Sequence, residues 1–136
     1  MSHTTTCDTS VLVPALLPWH PHHEPARRAV LDSVSVIPAH VVLELYSVLT
    51  RLPSPHRLAA EAAAATVEAL GRDVCTLPAE HHASLIAGVA AAGVRGGAVY
   101  DALIGATAAH HQLLLLTRDR RARPTYDVVG TRYSLV

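Results

Sequence analysis

The stretch Leu113-Leu114-Leu115-Leu116-Thr117-Arg118-Asp119 decides the fold class. Its first four residues form an uninterrupted apolar run of strand length, without alternation of apolar and polar positions. A strand covered on both faces needs no such alternation, and strands of this kind are typical of parallel sheets packed between helices. The run therefore predicts a central strand of a parallel sheet, followed at once by a polar segment that contains an acid.

The rest of the chain alternates between short β-prone segments and longer helical ones. The predicted strands are 4–7, 34–37, 74–77, 113–116 and 127–129, and the predicted helices are 10–17, with Ser10 as its N-cap, 24–32, 38–52, 56–70, 78–93 and 98–110. Repeated strand–helix units in one short chain indicate a parallel sheet with helices on both faces. We therefore expect a single α/β domain over 1–136, a three-layer α/β/α sandwich around a small, mostly parallel sheet.

Composition and targeting signals limit the possible functions. The chain has 136 residues, of which 50% are hydrophobic, and it lacks the long apolar segment of a membrane span. The first ten residues do not have the character of a signal peptide, so a cytoplasmic protein is expected. Cys7 and Cys75 are too few for a disulfide scaffold and are interpreted as small buried fillers.

Charge is balanced overall but not locally. Eleven acids face eleven basic residues, all of them arginine, which argues against nucleic-acid binding through general basicity. Around Asp119, however, lie Arg118, Arg120, Arg121 and Arg123. This segment is either a solvated turn or a binding surface for nucleic-acid phosphates, with Arg118, Arg120 and Arg121 as the candidate binding residues.

Acids occupy the positions where active sites gather in open parallel sheets, beyond the carboxyl ends of the strands. Asp8 directly follows the first predicted strand, and Asp119 follows the Leu-rich strand. Asp101 falls in the first turn of its predicted helix, where the macrodipole favours a carboxylate. Glu44 lies between two leucines, either on a narrow polar stripe or pointing into a pocket. Each acid alone is more often a helix cap or a solvated residue than a metal ligand.

Four strings that contain these acids resemble a known family when they are taken together. They are Cys7-Asp8-Thr9-Ser10, Pro38 with Glu44 six residues later, Tyr100-Asp101-Ala102-Leu103-Ile104, and Leu116-Thr117-Arg118-Asp119. Their order and spacing resemble the PIN-domain nucleases, above all the VapC toxins of bacterial toxin–antitoxin pairs. The resemblance implies an endoribonuclease dependent on Mg²⁺ or Mn²⁺. It implies metal-binding carboxylates at Asp8, Glu44, Asp101 and Asp119, with Ser10 and Thr117 in supporting positions.

The same resemblance implies protein partners. An antitoxin of the VapB type is expected to wrap the toxin and to place a residue near the acids, and a homodimer is expected as well. Helices 38–52 and 56–70 are rich in Ala and Leu and are a candidate groove for the antitoxin segment.

Elementary electrostatics supports the metal hypothesis independently. Carboxylates gathered in one cleft repel one another and raise one another's pKa, which makes the cluster costly without a cation. A hard divalent ion with oxygen ligands relieves that repulsion. Such an ion also orients a water and neutralises charge on a scissile phosphate. We therefore expect hydrolysis that leaves a 5′ phosphate and a 3′ hydroxyl, without a protein nucleophile.

Two other classes of function remain open at this point. One is a PIN-like protein-binding module with weak or lost nuclease activity, against which the intact set of acids argues. The ten histidines of the chain, including the loop residues His20, His22 and His23, could also suggest a zinc or nickel enzyme. The spacing of the histidines favours surface polarity, although the loop, with Trp19 for base stacking, is a candidate substrate contact.

Overall fold

The structure is a computed structural model that describes residues 4–136. Within that range the strands are β1 Thr5–Cys7, β2 Val36–Pro38, β3 Asp73–Cys75, β4 Leu114–Thr117 and β5 Tyr133–Leu135. The helices are α1 Thr9–Leu16, α2 His23–Ser33, α3 Ala39–Thr50, α4 Ala60–Glu68, α5 His82–Ala91, α6 Ala98–His110 and α7 Arg123–Val128. Short 3-10 turns, Ala79–His81 and Arg120–Ala122, precede α5 and α7.

All of these strands pair in parallel. β4 lies between β1 and β5, and β2 pairs with β3. The Thr6 hydroxyl donates a 2.7 Å hydrogen bond to the carbonyl of Val36, which places β2 beside β1. The spatial order is therefore β3-β2-β1-β4-β5, and it reverses direction between β1 and β4. Right-handed crossovers then put α1 to α4 on one face and α5 to α7 on the other.

The Leu-rich run forms the central strand that its composition predicts. Leu115 is fully buried in β4, and Leu116 is 8% exposed. Val11 of α1 and Ile104 of α6 belong to the same buried cluster. The apolar core therefore lies on both faces of β4, and the carboxyl ends of β1 and β4 are held rigidly side by side at the point where the strand order reverses.

The prediction of a final strand at 127–129 is wrong. Asp127 and Val128 belong to α7 and Val129 is its C-cap; the helix has Pro124 in its first turn and buries Thr125 and Tyr126. Gly130, with φ of +75°, follows the helix, and the last strand comes only at Tyr133–Leu135. The β propensity of the valines is overridden because a helix here buries two adjacent core residues.

Several predicted helix limits also change. Asp8, not Ser10, is the N-cap of α1, because its carboxylate accepts from the Ser10 backbone N–H. Pro14 lies within α1 without ending it. The helix predicted at 56–70 begins at Ala60, since the chain before it turns back to hydrogen-bond Leu58 N–H to the carbonyl of Leu49 at 3.0 Å. The helix predicted at 78–93 is a 3-10 turn followed by α5.

Across residues 4–136, none of the helices has the length and apolarity that crossing a bilayer requires. Both cysteines are free thiols, Cys7 fully buried and Cys75 partly so. Burial raises the pKa of each thiol, and the neighbouring charge of Asp8 raises that of Cys7 further. Both therefore stay protonated and unreactive near neutral pH, in agreement with their interpretation as fillers.

Candidate active site at the carboxyl ends of β1 and β4

Asp8 is the most constrained of the predicted acids. The residue is 4% exposed. Oδ1 accepts from the backbone N–H of Ser10 at 3.0 Å and from the Ser10 hydroxyl at 2.5 Å. Oδ2 accepts from the hydroxyls of Thr117 at 2.5 Å and Tyr126 at 2.6 Å. A carboxylate offers about four lone-pair sites, so these donors fill its capacity and hold its charge in one position.

Ser10 and Thr117 do more than donate to Asp8. The Ser10 hydroxyl accepts from the backbone N–H of Arg118 at 2.8 Å, and the Thr117 hydroxyl accepts from that of Asp119 at 3.1 Å. The two hydroxyl oxygens lie 3.3 Å apart. The two predicted supporting residues therefore join the end of β1 to the loop after β4, and they fix the backbone that carries Asp119.

Glu44 reaches this site from α3. The Thr9 hydroxyl, next to Asp8 in the chain, donates a 2.7 Å hydrogen bond to Oε1 of Glu44. On the other side of the carboxylate, Nε2 of His40 lies 3.8 Å from Oε2. Of the two interpretations open from the sequence, the structure therefore supports the one in which Glu44 points toward the cleft.

Asp101, in the first turn of α6, lies within electrostatic range of the other three acids. Burial, and then the negative charges of Asp119, Glu44 and Asp8, raise the pKa of Asp101 to about 6. Among the described residues no donor is hydrogen-bonded to this carboxylate. The structure thus brings acids from four distant segments into one electrostatic environment, and Asp101 is the member with oxygens left open.

The carboxylates form no ready-made cage. Within residues 4–136, no three or more His, Cys, Asp or Glu side chains are gathered closely enough to hold a metal ion. The same result gives no support to a histidine-based zinc or nickel site in that part of the chain. A hard divalent cation nevertheless suits the chemistry of the acids, because every donor is a carboxylate oxygen, and burial together with the neighbouring negative charges already raises the pKa of Asp101.

The arginine segment and the histidine loop lie beside this site. Asp119 caps the 3-10 turn by accepting from the Arg121 N–H at 3.0 Å. Arg118 is partly buried, whereas Arg120 and Arg121 are exposed. The pKa of His20 is lowered by burial and then by its charged neighbours, Arg118 among them, so the loop lies close to Arg118. Arg118, Arg120 and Arg121 therefore form a positively charged rim beside the acids.

Sequence reasoning missed Tyr126. The residue is fully buried, and burial followed by the charge of Asp8 raises the pKa of its hydroxyl, which keeps it a donor. Pro124 is a signal for a helix start that would have placed Tyr126 on a core-facing helix. Nothing local indicates that its hydroxyl reaches an acid 118 positions earlier.

Comparison with known proteins agrees with this geometry. The PIN domain profile matches residues 6–127. Ribonuclease VapC40 of Mycobacterium tuberculosis H37Rv is 45% identical over 130 residues, covering 95% of this chain and 96% of the relative. Ribonuclease VapC27 of the same organism is 37% identical over 123 residues, covering 90% of each chain.

The fold is also found in a solved structure. A chain in the crystal structure of DNA-bound VapBC from Salmonella typhimurium superposes with a TM-score of 0.70 at 23% identity, covering 98% of both chains. The α/β fold class and the family predicted from the four acidic strings are thereby confirmed. The chain belongs to the PIN-domain family and, within it, to the VapC ribonucleases.

Proposed function

We propose that this chain is the toxin of a toxin–antitoxin pair, an endoribonuclease dependent on Mg²⁺ or Mn²⁺ that acts in the cytoplasm as a single domain over 1–136. The observation that carries the proposal is the hydrogen-bonded arrangement of the acids. The Thr9 hydroxyl binds Glu44 next to Asp8, and the hydroxyls of Ser10 and Thr117 connect Asp8 to the backbone of the loop that carries Asp119. Burial and the charges of Asp119, Glu44 and Asp8 raise the pKa of Asp101 to about 6, which agrees with that arrangement. Identity of 45% to a protein named a ribonuclease supports the same activity.

The four carboxylates have different roles in this proposal. Asp101 would hold the cation directly, because no described donor occupies its oxygens. Glu44 and Asp119 would complete the oxygen set, each with one carboxylate oxygen engaged by a hydrogen bond. Asp8, with its hydrogen-bonding capacity filled, would supply a fixed negative charge beside them.

When bound, the cation supplies charge neutralisation at the scissile phosphate and a water of lowered pKa. The chain's own residues position it and bind the RNA. Arg118, Arg120 and Arg121 would bind phosphates on either side of the cleaved bond, since guanidinium groups pair well with phosphate oxygens. Cys7 does not act as a nucleophile, because its thiol is buried and protonated. The products would carry a 5′ phosphate and a 3′ hydroxyl.

A VapB-type antitoxin is the proposed partner, together with a second copy of the chain. The structural neighbour is itself a VapBC assembly, which supports the first of these. α3 exposes Leu43 and Tyr46, 69% and 38% accessible, so apolar surface is available on the helix that carries Glu44. Covering this surface with an apolar segment would stabilise the complex.

RNA cleavage with matched variants tests the proposal. The wild-type chain is expected to cleave RNA with Mg²⁺ or Mn²⁺, to stop when EDTA is added, and to leave 5′ phosphate ends. Asp101→Asn should lose the cleavage, whereas Asp32→Asn, at an exposed acid on α2, should keep it. Equal cleavage by wild type and Asp101→Asn, or cleavage that persists in EDTA, would overturn the assignment.

A further inference from the structure

A stacked pair of rings joins two surface loops. The rings of Trp19, in the loop after α1, and His56, in the loop after α3, have centroids 3.9 Å apart and planes 20° from parallel. Trp19 is nevertheless 46% exposed, and among the described residues no second ring is stacked on its indole. Trp19 and His56 together are called the tryptophan platform below. The indole is supported on one face by His56 and keeps ring surface open to solvent.

Both loops are held in ordered turns. The backbone N–H of His56 donates to the Pro53 carbonyl at 2.9 Å, and that of His20 donates to the Leu17 carbonyl at 2.9 Å. The backbone N–H of His22 donates at 3.1 Å to Nδ1 of His20. Because Nδ1 accepts, the proton of the neutral His20 ring is on Nε2. The platform is therefore positioned before a ligand arrives, which lowers the entropic cost of binding.

The surface around the platform is basic. Segments 17–23 and 51–59 contain no acid, and Arg51 and Arg57 are exposed in the second of them. Nε of Arg57 donates to the Leu52 carbonyl at 3.0 Å, which fixes the guanidinium in the turn that carries His56. Trp19 is the only large hydrophobic side chain exposed in these two segments. An exposed ring among cations, without exposed Leu, Ile or Val, suits a nucleobase and its phosphates better than an apolar protein segment.

Arg118 connects the platform to the acidic site. Its backbone N–H donates to the Ser10 hydroxyl at 2.8 Å, so its main chain lies at the acids. Burial, the charge of His22 and then that of Arg118 lower the pKa of His20, so the guanidinium extends toward this loop. The rings of His20 and Trp19 have centroids 6.0 Å apart. α1, with 8 residues or about 12 Å, separates the acids from the loop, so the platform lies where a nucleotide flanking the cleaved bond would pass.

We propose that the tryptophan platform is a base-stacking site for single-stranded RNA, which holds an unpaired base of the substrate beside the arginine rim. The inference rests on the proposed ribonuclease function and identifies a part of the substrate that binds outside the acids. Proteins bind single strands by combining a positively charged path for the backbone with aromatic rings on which bases stack. Arg118 and Arg57 supply the charges, and Trp19 supplies the ring. Because every base has a flat face, the stack contributes affinity for unpaired RNA and not a sequence preference.

The first test uses the intrinsic fluorescence of the full chain, which reports on Trp19 alone because the sequence contains one tryptophan. The chain is titrated in EDTA with a short, single-stranded RNA of random sequence. A base stacked on the indole should quench its emission, and the quenching should follow the binding curve measured separately by the anisotropy of the same RNA labelled with fluorescein. Emission that stays unchanged while the RNA binds would overturn the proposal.

The second test compares the RNA affinities of variants by anisotropy. Trp19→Ala should bind about tenfold more weakly than wild type, since loss of one base–aromatic stack has an effect of that order. Trp19→Phe keeps an aromatic ring and should retain most of the affinity. Ile86→Ala removes an exposed apolar side chain from α5, away from both loops, and should bind like wild type. Equal affinities of Trp19→Ala and Ile86→Ala would overturn the proposal.

Cleavage of the same RNA separates the platform from the ribonuclease assignment. Trp19→Ala should raise the KM for RNA and leave kcat near the wild-type value, because the platform binds a flanking base and does not touch the cleaved bond. An unchanged KM and affinity in Trp19→Ala, while Asp101→Asn is inactive, would remove the platform alone. Quenching of Trp19 by RNA in a chain that does not cleave with Mg²⁺ or Mn²⁺ would support the platform and remove the ribonuclease assignment.

Discussion

The Tyr126 hydroxyl donates a 2.6 Å hydrogen bond to Oδ2 of Asp8, and it joins α7 to the end of β1 across the core. Tyr126→Phe keeps the buried ring but leaves Asp8 with one donor fewer. A hydrogen bond to a charged group contributes about 1.5–3 kcal/mol, so we expect the free energy of unfolding to fall by roughly that amount. Urea unfolding monitored by circular dichroism measures the change.

The matched control is another tyrosine–aspartate pair. The Tyr133 hydroxyl donates to Oδ1 of Asp127 at 2.9 Å on an exposed surface. Tyr133→Phe should change the unfolding free energy by about 0.5 kcal/mol or less, because water replaces an exposed partner. Equal losses in Tyr126→Phe and Tyr133→Phe would contradict the claim that burial makes the Asp8 contact the stronger one.

Close packing of α6 against the segment after α7 predicts a second difference in stability. A Cβ added at Gly105 would overlap Oγ1 of Thr131 and would lie 2.8 Å from Cδ1 of Tyr126 and 2.9 Å from Cγ2 of Val129. All of these atoms belong to well-packed groups, so Gly105→Ala should destabilise the fold by about 1–3 kcal/mol.

Gly88 on α5 provides the opposite case. A Cβ there meets nothing within 4 Å. Gly88→Ala should therefore stabilise the fold by roughly 0.5–1 kcal/mol, through the lower backbone entropy of the unfolded chain and better helix propensity. Thermal unfolding of the two variants side by side tests whether Gly105→Ala destabilises the fold and Gly88→Ala stabilises it. A stabilised Gly105→Ala would show that the contacts around Gly105 are looser than described.

The raised pKa of Asp101 predicts a pH dependence of stability for the metal-free chain. Its folded pKa of about 6 lies above the ordinary aspartate value of 3.8, so the folded state holds the proton more tightly. The contribution of Asp101 to stability is therefore fully present below the unfolded pKa and is lost as pH rises through about 6. Asp101→Asn cannot titrate and should lack this component.

The measurement compares melting temperatures of wild type and Asp101→Asn in EDTA, from acidic to neutral pH. As pH rises, the melting temperature of Asp101→Asn should increase relative to that of wild type. Above the folded pKa of Asp101 the difference between the two melting temperatures should become constant. A parallel pH profile of the two proteins would contradict the raised pKa. Asp119→Asn should lower the pKa of Asp101, because Asp119 is the largest of the charges that raise it.

How much of the site can be predicted from the sequence depends on how far apart in the chain the interacting residues lie. Asp8 and Asp119 follow β1 and β4, and parallel strands bring their carboxyl ends together, so their proximity is predictable from the strand pattern alone. Glu44 is different: its direction depends on the Thr9 hydroxyl, 35 positions away. The hydrogen bond from Tyr126 to Asp8 cannot be predicted for the same reason, since only the folded chain brings α7 close to Asp8.

The errors in the predicted elements have a local origin. The valines at 128 and 129 favour a strand by propensity, but Tyr126 is buried by the helix that begins at Arg123 and has Pro124 in its first turn. The chain then needs Gly130, at φ of +75°, before β5 can pair with β4. Propensity describes a few residues at a time, whereas the packing of α7 against α6 is tertiary and decides the outcome.

The positively charged rim predicts the salt dependence of RNA binding. Arg118 is partly buried beside Asp119. Its backbone N–H, not its side chain, donates to the Ser10 hydroxyl, so Arg118→Ala should leave that hydrogen bond intact. Each lost phosphate contact to single-stranded RNA lowers the slope of log affinity against log salt by about 0.7. Arg118→Ala should therefore bind RNA more weakly at low salt and show a slope that is shallower by that amount.

Arg27→Ala, at an exposed arginine on α2, is the control and should keep the wild-type slope. Fluorescence anisotropy over a series of KCl concentrations measures both, and an unchanged slope in Arg118→Ala would mean that this side chain makes no phosphate contact.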